Sequence, residues 1–412
     1  RQMCIRDSWY LMYDALIKGP SFFSTIFAID RPLRAPLQSL LYIFYGQNLV
    51  LYHISTLLFR VIGAFAFLKI LKFIFKRDAR FQLIGAILFL VYPGFLSQPN
   101  AVDFSAHIIS LALAMISIWC SLAAMTESKS TKKWFLLTLS VVLAWAYLGL
   151  MEYFIGMEVL RFALLLSKYI SDKKTALNSL KKIWAEIAFL IFGAFGFLGW
   201  RLLLFDGGRK ATDITSQLVG FISSPGMVGT RWAIQVGHDV FNVLVSAWVV
   251  PFYSLFIPLR LRDQILAVVV ALILALLGWW IMVSTSDDEP DSEVGYSANP
   301  YLFLFSLVGA VFPVILANRH IDFSDYSRYT LPAMASGILL LVTLLQSMKQ
   351  KSYAVGVIII LLLSAGATQV ANATVYADEA IATRSFWWQA AWRMPNIKPG
   401  VTLVANYPKI AI

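Results

Sequence analysis

Runs of about twenty apolar residues recur along this chain, and each is long enough to cross a hydrocarbon core of about 30 Å as a helix. Eleven can be marked, at residues 49–74, 81–98, 105–125, 133–149, 151–167, 182–205, 236–257, 264–283, 299–318, 329–348 and 352–372. Of the 412 residues, 59% are hydrophobic and 14% charged, whereas a soluble domain carries about 25% charged residues. Too few charges remain to cover a water-facing surface. The bilayer is therefore the solvent, and the expected fold is all-α, a polytopic transmembrane bundle of about 10–11 membrane segments.

The formal charge of +11 does not point to a nucleic-acid partner. Lys and Arg gather in short loops between the apolar runs, the pattern of loops retained in the cytoplasm. Lys72, Lys76, Arg77 and Arg80 follow the first run, Lys129, Lys132 and Lys133 the third, and Lys168, Lys173, Lys174, Lys181 and Lys182 the fifth. If all eleven runs crossed, Lys349 and Lys351 would face outward, against that rule, so one run is expected not to cross. Segment 236–257 is the candidate. It carries His238, Asp239 and Asn242 near its start and Pro251 inside it, which suits a helix lying on the outer surface. The acidic 287–293 linker then falls inside, and the 319–328 loop and the C-terminal tail fall outside. No fixed-period repeat and no matched pair of broken helices in two halves is visible.

The first eight residues, RQMCIRDS, read as a translated sequencing adaptor, so residues 1–8 are set apart from the fold. Residues 9–48 form a first outer loop with juxtamembrane helices, 49–372 the bundle, and 373–412 the start of an extracytoplasmic segment whose GVTLVANYP run reads as a strand. Cys4 and Cys120 fit neither a metal spacing nor a disulfide framework.

Ionisable residues gather on the expected outer side: Asp30, Arg31 and Arg34 in IDRPLRAP, Asn100, Asp103 and His107 in QPNAVDFSAH, Glu152 and Glu158 in MEYFIGMEVLR, and Asp325, Arg328 and Tyr329 in FSDYSRYTLP. Such clustering suggests an outward-facing site, although interfacial loops are also where polar residues can live. Asp103 and His107 are four apart and share a helix face, either bonded together, lining a cavity, or serving as a cap with a satisfied His. Glu158 and Arg161 are spaced to pair within one helix. Arg60 lies near the middle of the first run, with His53 two turns above it, and a charge at that depth costs at least about 2.5–3.5 kcal/mol. It must face the bundle interior, a carboxylate or a phosphate. Arg31, Arg34 and Arg328 present planar donor forks that match phosphate, or else anchor the chain at the interface.

The stretches RPL, LYIFYGQNLVLYHISTLLFR, AILFLVYPGFLSQPNAVDFSAH and SRYTLPA together resemble bacterial membrane proteins of the GT-C glycosyltransferase superfamily, such as protein O-mannosyltransferases and lipid A aminoarabinose transferases. The resemblance spans most of residues 9–372. It implies an enzyme of the bacterial cytoplasmic membrane that transfers a sugar from a polyprenyl phosphate to a hydroxyl acceptor, with inversion, at the outer face. The family's first outer loop carries an acidic base, and its Asp-Asp-Trp type motif falls where this chain reads Asp7, Ser8, Trp9. Asp7 and Asp30 are thus the implied catalytic carboxylates. Arg31, Arg34, Arg60 and Arg328 are the implied donor-phosphate ligands, and Asp103, His107, Glu152 and Tyr329 line the cavity. No cofactor and no metal ligand set is implied, and the acceptor is open. A transporter or lipid flippase, with Arg60 and His53 lining a pathway, and a non-enzymatic membrane scaffold are the alternatives.

Overall fold

The computed structural model describes residues 2–27, 31, 33–76, 78–171, 176–205, 214–285, 298–394 and 396, with the side chains of 2–9, 168–171, 176–185, 202, 214 and 215 outside that description. Among the described residues every regular element is helical. Three helices, α1 (Gln2–Lys18), α2 (Phe22–Phe27) and α3 (Arg34–Tyr45), precede the bundle. Residues 2–8, set apart above, thus continue into α1. A small core of Leu11, Ala15, Phe22, Phe23, Phe27 and Ala35 holds these helices together. Gly46, at φ +54, turns α3 into α4 (Leu49–Ile74), a conformation that a side chain would strain. Asn48 caps α4, its side-chain oxygen accepting from the amide of Val50 at 3.1 Å.

The chain continues through α5 (Ala79–Val91), α6 (Ala101–Thr126), α7 (Ser130–Leu150), α8 (Met157–Ser171), α9 (Ala176–Gly199), α10 (Ile214–Ser223), α11 (Pro225–Phe241), α12 (Ala247–Pro251), α13 (Leu261–Ser284), α14 (Pro300–Leu316), α15 (Leu331–Ser347) and α16 (Lys351–Arg393). Among the described residues six helical runs are long and apolar enough to cross a membrane, and three shorter apolar helices accompany them. This is a polytopic helical bundle. In their apolar windows α6 is 72% buried and the run from Ser327 to Ser347 78%, against 33% for α13. The first two are therefore central and α13 faces lipid.

Hydrogen bonds and glycine contacts fix the helix directions. Leu96 is bonded both by Ser327, just before α15, and by Asn372 in α16. The other end of α15 joins the start of α16 through residues 348–350, so these two helices are antiparallel. A Cβ added at Gly366 would lie 2.8 Å from Cα of Ala271, and one at Gly278 would meet Leu362 and Ile358. Helix α13 consequently runs antiparallel to α16, its small residues Ala267, Ala271, Ala275 and Gly278 allowing close approach. Leu261 lies at the same end of the bundle as Ser327. The run Pro225–Phe256 is by length and composition able to cross, yet Asp239 meets Ile321 near Ser327, and the carbonyl of Phe256 accepts from Gln264 near the start of α13. Asp239 and Phe256 therefore sit at one end of the bundle, while the carbonyls of Val243 and Trp248 between them accept from Tyr92 and Ser364 inside it. Two π-helical turns, Asn242–Ser246 and Phe252–Phe256, bracket α12 within it.

Sequence periodicity expects a helix over 81–98, but α5 stops at Val91. Pro93 has no N–H to donate and disfavours a helical residue before it. At about 20 Å, α5 is shorter than the hydrocarbon core of about 30 Å, and residues 92–100 are mostly buried without regular structure. Their main chain is satisfied by other elements. Arg60 donates to the carbonyls of Leu90 and Phe89, both at 3.2 Å, and of Tyr92 at 3.4 Å. Gln369 donates to Val91 and Tyr92 at 3.2 and 3.1 Å, and Asn372 to Leu96 at 2.9 Å. The carbonyl end of α5 carries partial negative charge, which compensates the guanidinium. At the other extreme α16 outruns its expected segment. Its 43 residues make a rod of about 64 Å, roughly twice the core thickness, so residues 373–393, placed above in an extracytoplasmic segment, continue the helix. The GVTLVANYP run lies outside the described residues.

Replacing Arg60 by Met should leave carbonyls of α5 unsatisfied, at about 1–3 kcal/mol each. Arg60→Met is expected to lower the thermal midpoint of the detergent-solubilised protein, followed by tryptophan fluorescence, well below that of Arg60→Lys, which keeps a donor. Equal midpoints for both variants and wild type would remove the capping role.

Candidate functional site

Three non-helical stretches converge at the bundle end that carries the α3–α4 turn: residues 92–100, the 3-10 turn Glu152–Gly156, and the 317–326 loop with the 3-10 turn Ser327–Thr330 behind it. Irregular backbone is tolerated at such depth where protein buries it or where it lines a cavity. The Glu152–Gly156 turn fits only because Gly156 lacks a side chain. A Cβ there would lie 2.6 Å from Cα and O of Ala310. The 317–326 loop is held by α11, where Asp239 Oδ1 accepts from the amide of Ile321 at 3.1 Å and Asn242 Nδ2 donates to its carbonyl at 3.0 Å.

Tyr153 stands at the centre of this end. Its hydroxyl is 2.7 Å from Nδ1 of His107, in a bond whose direction depends on the imidazole tautomer, and 3.4 Å from the carbonyl of Arg328, to which it donates. Its ring meets Tyr329 edge-on at 5.2 Å, and Tyr329 stacks on Tyr326 at 5.8 Å. The guanidinium of Arg328 lies 5.0 and 5.3 Å from the centres of those two rings, within cation–π range. Arg319 donates to the hydroxyl of Tyr326 at 2.8 Å. Burial pushes the Tyr153 phenol up from its ordinary value, outweighing the opposing pull of the Arg328, Arg31 and Arg34 cations. The phenol is protonated at neutral pH, and the Arg328 guanidinium lies over the neighbouring rings of Tyr326 and Tyr329.

Arg34, 4% exposed, forms an ion pair with Asp103 and donates to the main-chain carbonyl of the same residue at 2.8 Å. Its guanidinium sits 4.1 Å over the ring of Phe27. One turn on, Gln38 donates to the carbonyl of Val102 at 2.9 Å. Together they button α3 to the first turn of α6, where an acidic residue also suits the helix dipole.

The structure thus brings together Arg31, Arg34, Asp103, His107, Arg328 and Tyr329. Asp103 and His107 share a face of α6 but do not bond to each other: one turns to Arg34, the other to Tyr153. Glu152 stands apart, paired with Arg201, whose guanidinium lies 4.5 Å over Phe205. Arg60 is bound to the α5 carbonyls rather than gathered with the other arginines. Asp30 and the side chain of Asp7 lie outside the described residues. Sequence reasoning singled out Tyr329 and the charged residues of MEYFIGMEVLR and FSDYSRYTLP but missed Tyr153, Tyr326 and Arg319. Among the described residues no three His, Cys, Asp or Glu side chains come together as a metal ligand set. Guanidinium groups and a protonated phenol are donors, so the arrangement suits an anion bearing several oxygens.

Two outcomes test this geometry. Arg34→Met should destabilise the fold by leaving the partly buried Asp103 carboxylate without its partner, and adding Asp103→Leu should recover much of that loss in a thermal-shift series. In the 317–326 loop, burial raises the Asp322 carboxyl, but the Ser324 hydroxyl and the amides of Ser324 and Asp325 outweigh it and hold the group below its usual value of 3.8. A depressed folded value contributes stability above the unfolded pKa that is lost as pH falls through the folded one. Protection factors of amides in 319–326, with the intrinsic pH dependence of exchange divided out, should stay constant from about pH 7 to 5 and fall below about pH 4, and Asp322→Asn should abolish that step. Compared with known proteins, the chain matches no family model, no curated protein and no solved structure.

Proposed function

We propose that this chain is a membrane glycosyltransferase that takes a sugar from a polyprenyl-phosphate donor at the extracytoplasmic face and passes it, with inversion, to a hydroxyl acceptor. The observation that carries this reading is the cluster at one end of the bundle in which the Tyr153 hydroxyl meets His107 and the Arg328 carbonyl, with the Arg328 guanidinium over the rings of Tyr326 and Tyr329. That cluster lies at the bundle end opposite the turns bearing Lys76, Lys129 and Lys349, and lysine-bearing turns belong in the cytoplasm of a bacterial membrane.

The chemistry asked of the site is modest. A carboxylate removes the acceptor's hydroxyl proton as its oxygen bonds to the anomeric carbon. The bond from that carbon to the phosphate oxygen breaks, and the electron pair leaves on the lipid phosphate. Negative charge grows there, and guanidinium groups such as that of Arg328 would stabilise it. Asp103 is engaged by Arg34, and the resemblance implies that the base is a carboxylate of the first outer loop, Asp30 or Asp7. Divalent-metal assistance is compatible with this scheme.

Wild-type protein in proteoliposomes should incorporate radiolabelled sugar from a polyprenyl-phosphate donor. Arg328→Ala should lower turnover by about 10²–10³-fold, as loss of a preorganised donor does, while membrane insertion is retained. Asp30→Asn should abolish transfer if Asp30 is the base. Absence of transfer from every donor sugar tried would end this reading.

One observation favours a second reading, a lipid flippase or transporter. Asp103, His107, Ser110, Ser117 and Ser121 fall on one side of α6, a polar stripe of about 27 Å. Transbilayer movement of a fluorescent phospholipid, read by dithionite quenching, would accelerate under that reading and stay at the rate of empty vesicles under the first.

A further inference from the structure

Below the Tyr153 cluster lies a second ionic centre that the transfer chemistry does not use. Arg161 is 3% exposed. Its Nε is 2.9 Å from Glu158 Oε2, and its Nη2 donates to Glu158 Oε1 at 3.0 Å. The same guanidinium donates to the Ser117 hydroxyl at 2.7 Å, to the Ser117 carbonyl at 3.4 Å, and to the Ser140 hydroxyl. Ser117 and Ser140 also bond each other's carbonyls, at 2.6 and 2.8 Å. Tyr147 donates to Glu158 Oε1. One side chain of α8 therefore ties together α6 and α7, near the middle of both.

Charges at that position are expensive, and a hydrophobic pair of similar volume often stabilises as well or better. What an apolar pair lacks is direction, because guanidinium and carboxylate lock only in register. The two bonded partners Tyr147 and Glu158 flank the Glu152–Gly156 turn that carries Tyr153. The ring of Phe154 within the turn lies 6.5 Å from Tyr147 and 4.9 Å from Tyr153. Gly156 is pressed on the backbone of Ala310 from the other side. The turn is held at both flanks and from behind.

We propose that Arg161 and Glu158 are positioning residues that hold the Tyr153 hydroxyl in register with His107 and Arg328, so that the outer site can grip an anion. The role in anion binding rests on the functional reading above; the alignment of Tyr153 with His107 does not.

Two readouts separate them. In full-length protein carrying 15N-labelled histidine, the His107 signal reports its bond to the Tyr153 hydroxyl. Tyr153→Phe should shift that signal, and Arg161→Met should shift it in the same direction. An unmoved His107 signal in Arg161→Met overturns the proposal, whatever the ligand. Binding of farnesyl phosphate by the detergent-solubilised protein supplies the second readout. Tyr153→Phe should weaken it about three- to tenfold, the worth of one net hydrogen bond. Arg161→Met should weaken wild type by a similar factor but change the Tyr153→Phe protein less than about twofold. Equal losses in both backgrounds would mark Arg161 as general helix glue and overturn the positioning role. If Arg161→Met does not fold, Arg161→Met combined with Glu158→Leu removes both charges, and an unshifted His107 signal there is equally fatal. Failure of wild type to bind farnesyl phosphate would count against the functional reading, leaving the His107 signal to decide the alignment.

Discussion

Lipid offers no hydrogen bonds to a main chain, so every peptide group at membrane depth must find its partner within the protein. In this chain that requirement falls hardest on residues 92–100, which follow a helix too short to finish the crossing. Arg60 from α4, Gln369 and Asn372 from α16 and Ser327 ahead of α15 each satisfy part of that stretch. Three central helices are thereby registered against one irregular segment. The cost of an arginine inside the bundle is offset because its charge meets the carbonyl end of α5. The candidate site stands at the end of the bundle that this segment helps to organise.

Helix α6 links the two polar layers. Near its start Asp103 receives Arg34 from α3, and one turn on His107 receives Tyr153. Further down, Ser117 receives Arg161 from α8. Each contact brings a different element onto the same helix, and each polar atom named is bonded to a partner from another element. Cations and aromatic rings recur together, with Arg34 over Phe27, Arg328 over Tyr326 and Tyr329, and Arg201 over Phe205. Flat guanidinium groups can lie on ring faces while their edges remain available to donate.

Segment expectations agree with the helices where a run has no internal breaker. Residues 105–125 and 264–283 sit inside α6 and α13, which extend a few residues beyond them. They depart where punctuation or tertiary contacts intervene: Pro93 ends α5 early, and residues 152–156 form a 3-10 turn rather than the start of a helix. For 236–257, loop charges and its His238, Asp239, Asn242 and Pro251 argue for a surface helix, whereas the run from Pro225 to Phe256 is long and apolar enough to cross. The site was only partly legible. Charged residues advertise themselves in an apolar sequence, so Arg34, Asp103, His107 and Arg328 stood out, whereas Tyr153 looked like one of many interfacial aromatics.

Sequence alone determined that the chain lives in lipid as helices, because apolar runs of about twenty residues have no other stable arrangement there, and it determined which few polar residues would be conspicuous. The tertiary structure decided their partners. A spacing of four residues puts Asp103 and His107 on one helix face, but it carries no information about what packs against that face. Arg34 is 69 residues away from Asp103 and Tyr153 is 46 from His107. Such distant pairings are settled by the folding of α3 and the Glu152–Gly156 turn onto α6, and the same packing delivers Arg60 to the carbonyls of α5 instead of to the other arginines.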